Sequence, residues 1–288
     1  MNSLRIGCVK YLNARPLIHG WPDAVEFDHP SALCQRLASG ELGVALVSSF
    51  EFLRNPIYRI VNDVSISSDG PVYSVVVAHR GDISEIEEIE LDLASLTAVN
   101  LLSCLLAELG LSPRLVRNIG LQSARPVGLQ PADPDAPENI SAGRTGNMPM
   151  FRARLLIGDQ AIQFRQKHAG EFQFWDLGEE WKKLVGLPFV YALWLIRPEI
   201  RDPKSLAQRL RALRDENLAN LDQLIADAVA GVGDSGYRKL TREFLGRYYR
   251  NYLRFSFGEE EREGLCAFGE LCANRGLLPE RGIEFRLV

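Results

Sequence analysis

Residues 31–49 read "SALCQRLASGELGVALVSS", and this stretch decides the fold. Leu33, Cys34 and Leu37 share a helical face behind Ser31, a residue type that caps helix N-termini. Gly40 follows, of the kind that ends a helix in a left-handed turn. "VALV" (44–47) is too short for a helix and wholly apolar, so it reads as a buried strand running into Ser48 and Ser49. Working back, residues 4–9 alternate weakly and run apolar, and read as a first buried strand. Two strands joined through a helix make a β-α-β unit, with parallel strands and a right-handed crossover.

Further along, "PVYSVVVAHRG" (71–81) alternates, is rich in valine and reads as a strand. "SLTAVNLLSCLLAELGL" (95–111) is the clearest helix, with a wide leucine face and Gly110 at its end. Residues 122–150 are dense in Pro, Gly, Asp and Asn and read as loops with one short strand. "RARLLIGDQAI" (152–162) is a strand, a turn and the start of a helix. "LVGLPFVYALWLI" (184–196) reads as a buried strand. From Pro203 to Gly231 the pattern is helical, and residues 241–257 and 260–278 read as two more amphipathic helices.

Strands alternating with helices argue for an α/β fold. The strands at 71–81 and 184–196 flank a self-contained middle segment, and the C-terminal helices must pack on the first β-α-β unit. Two lobes are therefore expected. Residues 1–74 and 191–288 form a discontinuous first lobe, and 75–190 an inserted second one. A ligand in such a fold sits between the lobes, at the carboxyl ends of strands.

Composition narrows the partners. Of 288 residues, 33 are Lys or Arg and 37 Asp or Glu, a net charge of -4, which gives no support for nucleic acid. The cysteines, Cys8, Cys34, Cys104, Cys266 and Cys272, are odd in number without a C-x-x-C pair and read as free buried thiols. The histidines form no zinc pattern. The apolar run at 184–196 contains Pro188 and is shorter than the ~20 residues a membrane helix needs. No basic and apolar leader precedes "SLRIGCVKYL". A soluble, cytoplasmic protein without a membrane partner is expected, as a monomer or homodimer.

Several polar groups converge in the expected cleft. Tyr11, Asn13 and Arg15 lie past the end of the first strand, and Ser48 and Ser49 past the second. Asn13 also suits a turn before Pro16, and the serines suit an N-cap for "FEFLRN". From the other lobe come Ser95 and Thr97, each a cap or a carboxylate contact at a helix start whose free N–H groups suit an anion. Asp92 nearby reads as facing solvent. Asp159, in "IGDQA" (157–161), is a cap or a ligand contact. Ser74 is a satisfied core hydroxyl or points into the cleft. With no nucleophilic triad, glycine-rich phosphate loop or dinucleotide fingerprint, this is the chemistry of holding a small carboxylate.

"RIGCVKYLNARPL", "ELGVALVSSFEF", "ISSDGPVYSVVV", "LLIGDQAI" and "WDLGEEWKKLVGLPFVYALW" occur in that order. The chain thereby resembles the chorismate dehydratases of futalosine-type menaquinone biosynthesis, over nearly its whole length. The resemblance implies a type II periplasmic-binding-protein-like fold. It also implies a lyase that removes water from chorismate to give 3-[(1-carboxyvinyl)oxy]benzoate, with no metal or organic cofactor. Asn13 is then expected at the reacting centre, with Ser74 and Asp159 as further catalytic candidates. Tyr11, Arg15, Ser48, Ser49, Ser95, Thr97, Ala98 and Gly158 are expected to bind substrate. The proton acceptor is a water, Asp159 or a substrate carboxylate.

Two positions depart from the family pattern: Ala98 replaces a usual serine, leaving only its backbone N–H, and Val185 a usual threonine. A related enzyme forming 1,4-dihydroxy-6-naphthoate and a non-catalytic small-carboxylate binder are the alternatives. The first lacks the Y-L-N-x-x-P-L opening.

Overall fold

The computed structural model describes residues 4–92, 94–117, 153–230 and 240–288. The chain opens with β1 (Ile6–Cys8), a 3-10 turn (Leu12–Ala14) and the one-turn helix α1 (Arg15–Ile18). Then come β2 (Val25–Phe27), α2 (Pro30–Ala38), β3 (Val44–Ser48), α3 (Ser49–Arg54) and β4 (Arg59–Ser68). A second series follows: β5 (Val75–His79), β6 (Glu88–Leu91), α4 (Leu96–Glu108), β7 (Arg114–Arg117), β8 (Ala153–Ile157), α5 (Gly158–Lys167), β9 (Gln173–Asp176) and α6 (Leu177–Val185). The chain returns through β10 (Phe189–Ile196) to α7 (Pro203–Ala219), α8 (Leu221–Ala230), α9 (Arg242–Arg247), a π-turn (Tyr248–Tyr252) and α10 (Glu259–Asn274).

Two mixed five-stranded sheets result. The first runs β2-β1-β3-β10-β4, with β1 parallel to β2 and β3, and β10 antiparallel to β3 and β4. The second runs β7-β6-β8-β5-β9, with β6 parallel to β7 and β8, and β5 antiparallel to β8 and β9. An α/β architecture on two sheets is thus observed. The chain crosses between the sheets after Ser68 and again before Phe189.

The valines of β5 serve both faces of their sheet. Val75 and Val77 join the main core, while Val76 and Ala78 pack with Leu156 and Ala161 beneath Phe164, Phe172 and Phe174. A strand covered on both sides reads as an unbroken apolar run, as this one does. Trp181 of α6, Phe189 of β10 and Phe268 of α10 meet edge to face at 5.0–6.1 Å between ring centroids. Each such pair contributes about 0.5–1.5 kcal/mol beyond its buried area.

The structure corrects several expectations. Helix α2 begins at Pro30 with His29 at the N-cap position, so Ser31 lies inside it; proline suits the first helical position because its missing N–H has no partner there. Gly40 does adopt the left-handed conformation, at φ +82°. The first unit holds an extra strand, β2, and β1 lies between β2 and β3. β2 has three part-exposed residues, too few to show alternation.

The expected strand at 71–81 begins only at Val75, because Tyr73 takes a positive φ of 66°. At 184–196, Leu184 and Val185 finish α6, Gly186 turns the chain at φ +79°, and the strand starts at Phe189. The helix from 203 is two helices, broken at Asn220. Residues 241–257 are helical only to Tyr252; Leu253, Phe255 and Phe257 alternate inward, and Arg254 bridges to Ser67 beside β4. The stretch 122–150 and Gly231 lie outside the described residues.

Candidate active site between the two sheets

The carboxyl ends of β1 and β3 lie side by side and open on a narrow cleft with about 60 Å³ of free volume. That is below the usual range for an open small-molecule site, about 300–1,000 Å³, so the two sheets stand close together over it. Its polar lining comes from Tyr11 and Asn13 after β1, Ser48 at the end of β3, Ser74, Ser95 and Gly158 from the second series, and Tyr191 of β10. Val9, Leu46, Ile66, Val72 and Ala98 supply apolar walls. The lining contains no carboxylate, histidine or lysine among the described residues.

Gly158 is required where it stands. Its φ is +56°, and a Cβ on it would lie 3.0 Å from the Tyr11 ring. Its N–H donates to the Ser74 carbonyl at 2.7 Å, so the start of α5 and the crossing segment close on Tyr11 together. Asn13 sits in the 3-10 turn, and its Oδ1 is buried without a hydrogen-bond partner among the described residues. An amide offers one acceptor and two donors, so this group is placed to take a ligand hydroxyl.

Helices α3 and α4 exchange caps across the base of the cleft. Ser48 occupies the N-cap position of α3, yet its hydroxyl accepts from the Thr97 N–H of α4 at 3.1 Å. Thr97 Oγ1 in turn accepts from the Phe50 N–H of α3 at 3.1 Å and meets the hydroxyls of Ser48 and Ser49. Ser49 also donates to the Val190 carbonyl at 2.7 Å. Ser49 and Thr97 are both fully buried in this knot, and neither lines the cleft. Ser95 caps its own helix, accepting from the Ala98 N–H at 3.3 Å, so that backbone donor is already engaged.

The remaining candidates are placed as follows. Asp159 is buried in the first turn of α5, and its Oδ1 accepts from the Leu12 N–H at 2.9 Å, a bond between the two sheets' elements; the carboxylate is not in the cleft lining. Arg15 lies on the other side of Tyr11, in a neighbouring pocket with Trp21 and His19. Asp92 does not face solvent: it is half-buried, its Oδ1 accepts from the Ala94 N–H, and burial pushes its carboxyl up. Ser74 does both things expected of it, lining the cleft and accepting from Tyr248 OH at 2.8 Å.

The sequence matches the family described as menaquinone biosynthesis over residues 4–130 and 140–274. The chain belongs to this family. A chorismate dehydratase of Thermus thermophilus is 33% identical over 289 residues, covering 94% of this chain and 95% of the relative. The periplasmic aliphatic sulphonate binding protein of Escherichia coli superposes with a TM-score of 0.57 at 14% identity, over 96% of this chain and 88% of its own. A Candida albicans protein with the generic periplasmic binding protein fold gives 0.53 at 12% identity, over 98% and 92%. Those two likenesses concern the fold alone: this menaquinone biosynthesis family member has a periplasmic-binding-protein-like fold.

Sequence reasoning missed Tyr191 in the cleft wall and the groups behind the cleft. Tyr248 and Tyr249 hold Ser74 and Leu12 from the π-turn, and Tyr191 OH meets Ser68 Oγ at 3.1 Å. Asp176 accepts from the N–H groups of Val72 and Tyr73 on the first crossing, at 3.0 and 2.8 Å, as well as capping α6. The pair of tyrosines in "RYYRNY" was the available signal, since two adjacent phenols on an otherwise amphipathic helix need two separate polar partners.

Proposed function

We propose that this protein is a chorismate dehydratase, a lyase giving 3-[(1-carboxyvinyl)oxy]benzoate in futalosine-type menaquinone biosynthesis. The observation that carries the reading is Asn13: a buried amide oxygen, unpartnered among the described residues, in a cleft otherwise walled by hydroxyls and apolar side chains. The substrate class comes from the Thermus thermophilus relative.

The reaction breaks a ring C–H bond and the neighbouring C–OH bond, and hydroxide leaves with a proton as water. No electrons pass to or from the substrate, and aromatisation drives the step. The protein's share is then orientation and hydrogen bonding. Asn13 takes the reacting centre: its Oδ1 accepts from the ring hydroxyl and orients it, while its amide N–H groups are the donors for the charge that develops as that hydroxyl leaves. Ser48, Ser74 and Ser95 offer hydroxyls to the two carboxylates, and Tyr11 closes over the ring from its seat on Gly158. Since Asp159 is committed to the Leu12 N–H, the proton acceptor is a water or one of the substrate's own carboxylates.

The lobes divide after residue 74 and just ahead of Phe189, where β10 joins the first sheet, two residues before the expected boundary at 191. The five cysteines are unpaired, which suits the reducing cytoplasm. Incubation of metal-stripped protein with chorismate, followed by liquid chromatography and mass spectrometry, tests the reading. A product lighter by one water with an aromatic absorbance supports it. Saturable binding without turnover would make the protein a carboxylate binder instead.

A further inference from the structure

The π-turn Tyr248–Tyr252 follows α9 without a break and carries two adjacent tyrosines, both buried. Adjacent side chains on an α-helix diverge by roughly 100°, since a turn holds 3.6 residues. In this wider turn both phenols reach the segments that build the cleft. Tyr248 OH donates to Ser74 Oγ at 2.8 Å, and Tyr249 OH donates to the Leu12 carbonyl at 2.9 Å. Neither ring lines the cleft. π-turns inside helices are frequent at functional sites because they re-aim side chains in this way.

Each bond has a consequence for a cleft group. Leu12 directly precedes Asn13. Its N–H is held by Asp159 and its carbonyl by Tyr249, so the residue leading into Asn13 is fixed at both polar ends. Ser74 has a single proton; because its oxygen accepts from Tyr248, that proton remains for an acceptor in the cleft. Burial holds the Tyr248 phenol well above its ordinary range, so it stays a donor.

We propose that Tyr248 and Tyr249 are positioning residues for the dehydration: Tyr248 makes Ser74 a one-way donor toward a substrate carboxylate, and Tyr249 aims Asn13. The inference rests on the chorismate reading of the same cleft.

The test is a double-mutant cycle on chorismate turnover with wild type, Tyr248→Phe, Ser74→Ala and the double variant. Phenylalanine keeps the ring and removes only the donor. Small misplacements at a reacting centre cost up to about 100-fold, so Y248F is expected to lower kcat by about tenfold or more. The loss should disappear in the Ser74→Ala background, where there is no hydroxyl left to orient. Tyr249→Phe is expected to lower kcat with KM held, and it decides the matter alone if Y248F does not fold. Losses of Y248F that add to those of Ser74→Ala, or an unchanged kcat in both tyrosine variants, overturn the proposal while the dehydratase reading stands. A wild type inert toward chorismate overturns both.

Discussion

Asn13 keeps its amide oxygen buried with no hydrogen-bond partner among the described residues, and a buried polar group left without a partner costs about 1–3 kcal/mol. A side chain kept for folding would not be left so. Asn13→Ala is therefore expected to leave thermal stability unchanged or slightly raised. Loss of an oriented group at the reacting centre costs roughly 10²–10³ in turnover, and kcat should fall accordingly while chorismate affinity moves far less. Steady-state kinetics beside calorimetric titration separates the two, and equal losses in both would reduce Asn13 to a binding contact. Asp159 makes the opposite case, since its described carboxylate contact is spent on the Leu12 N–H. Asp159→Asn retains an acceptor and is expected to retain most of kcat, whereas Asp159→Ala should lower stability by about 1–3 kcal/mol. Abolished turnover in the Asn variant would reinstate Asp159 as the base.

Helices α3 and α4 show how two elements can share one set of caps. Neither supplies all its own acceptors: α3 relies on Thr97 and α4 on Ser48, so each helix start is complete only when the sheets are together. Thr97→Val copies the shape without the hydroxyl and strands the Phe50 N–H. The urea midpoint should drop by the equivalent of about 1–3 kcal/mol with an unchanged slope. A variant as stable as wild type would mean that water reaches the knot. Ala98, one residue on, is a wall of the cleft where the family pattern has serine. Ala98→Ser is expected to lower KM for chorismate without changing kcat; an unmoved KM would place both carboxylates elsewhere. What the sequence revealed at this scale was whatever repeats over many residues. The run from α2 into β3 and the leucine face of α4 were legible, and so was the meeting of Tyr11, Asn13, Ser48, Ser74, Ser95 and Gly158, because strand ends in such a sheet face one crevice. Ser49 and Thr97 were left between cap and ligand contact because side chains that cap across two elements look identical in sequence to side chains that face a cleft. β2 was too short to show a period. The π-turn hid inside a pattern that stays amphipathic until Leu253 begins to alternate.

At the scale of the molecule, the two crossings between sheets meet at one buried carboxylate. Asp176 accepts from Val72 and Tyr73 on the first crossing and caps α6, the helix that leads into the second. Arg165 approaches it at 3.6 Å while lying over the Tyr73 ring, whose positive φ marks the bend. The exposed clasp nearby, Asp69 with Lys182 and Arg254, is screened by salt and contributes little by comparison. Burial pushes the Asp176 carboxyl above the usual range, outweighing the pull of the Val72, Tyr73 and Glu179 N–H groups and of Arg165. A carboxyl with a raised folded pKa binds its proton more tightly in the native state than in the unfolded chain. Its contribution to stability is therefore full below the unfolded value, about 4, and declines as pH rises through the folded value. The Asn variant cannot titrate. The difference in unfolding free energy between wild type and Asp176→Asn should consequently be largest at acid pH and shrink as pH climbs toward neutrality, whatever its absolute size. Urea unfolding of both proteins across pH 4 to 7 measures it. A difference that grows with pH would mean that the four N–H donors and Arg165 prevail over burial. The junction would then hold a committed carboxylate, and the crossings would be tightest at neutral pH.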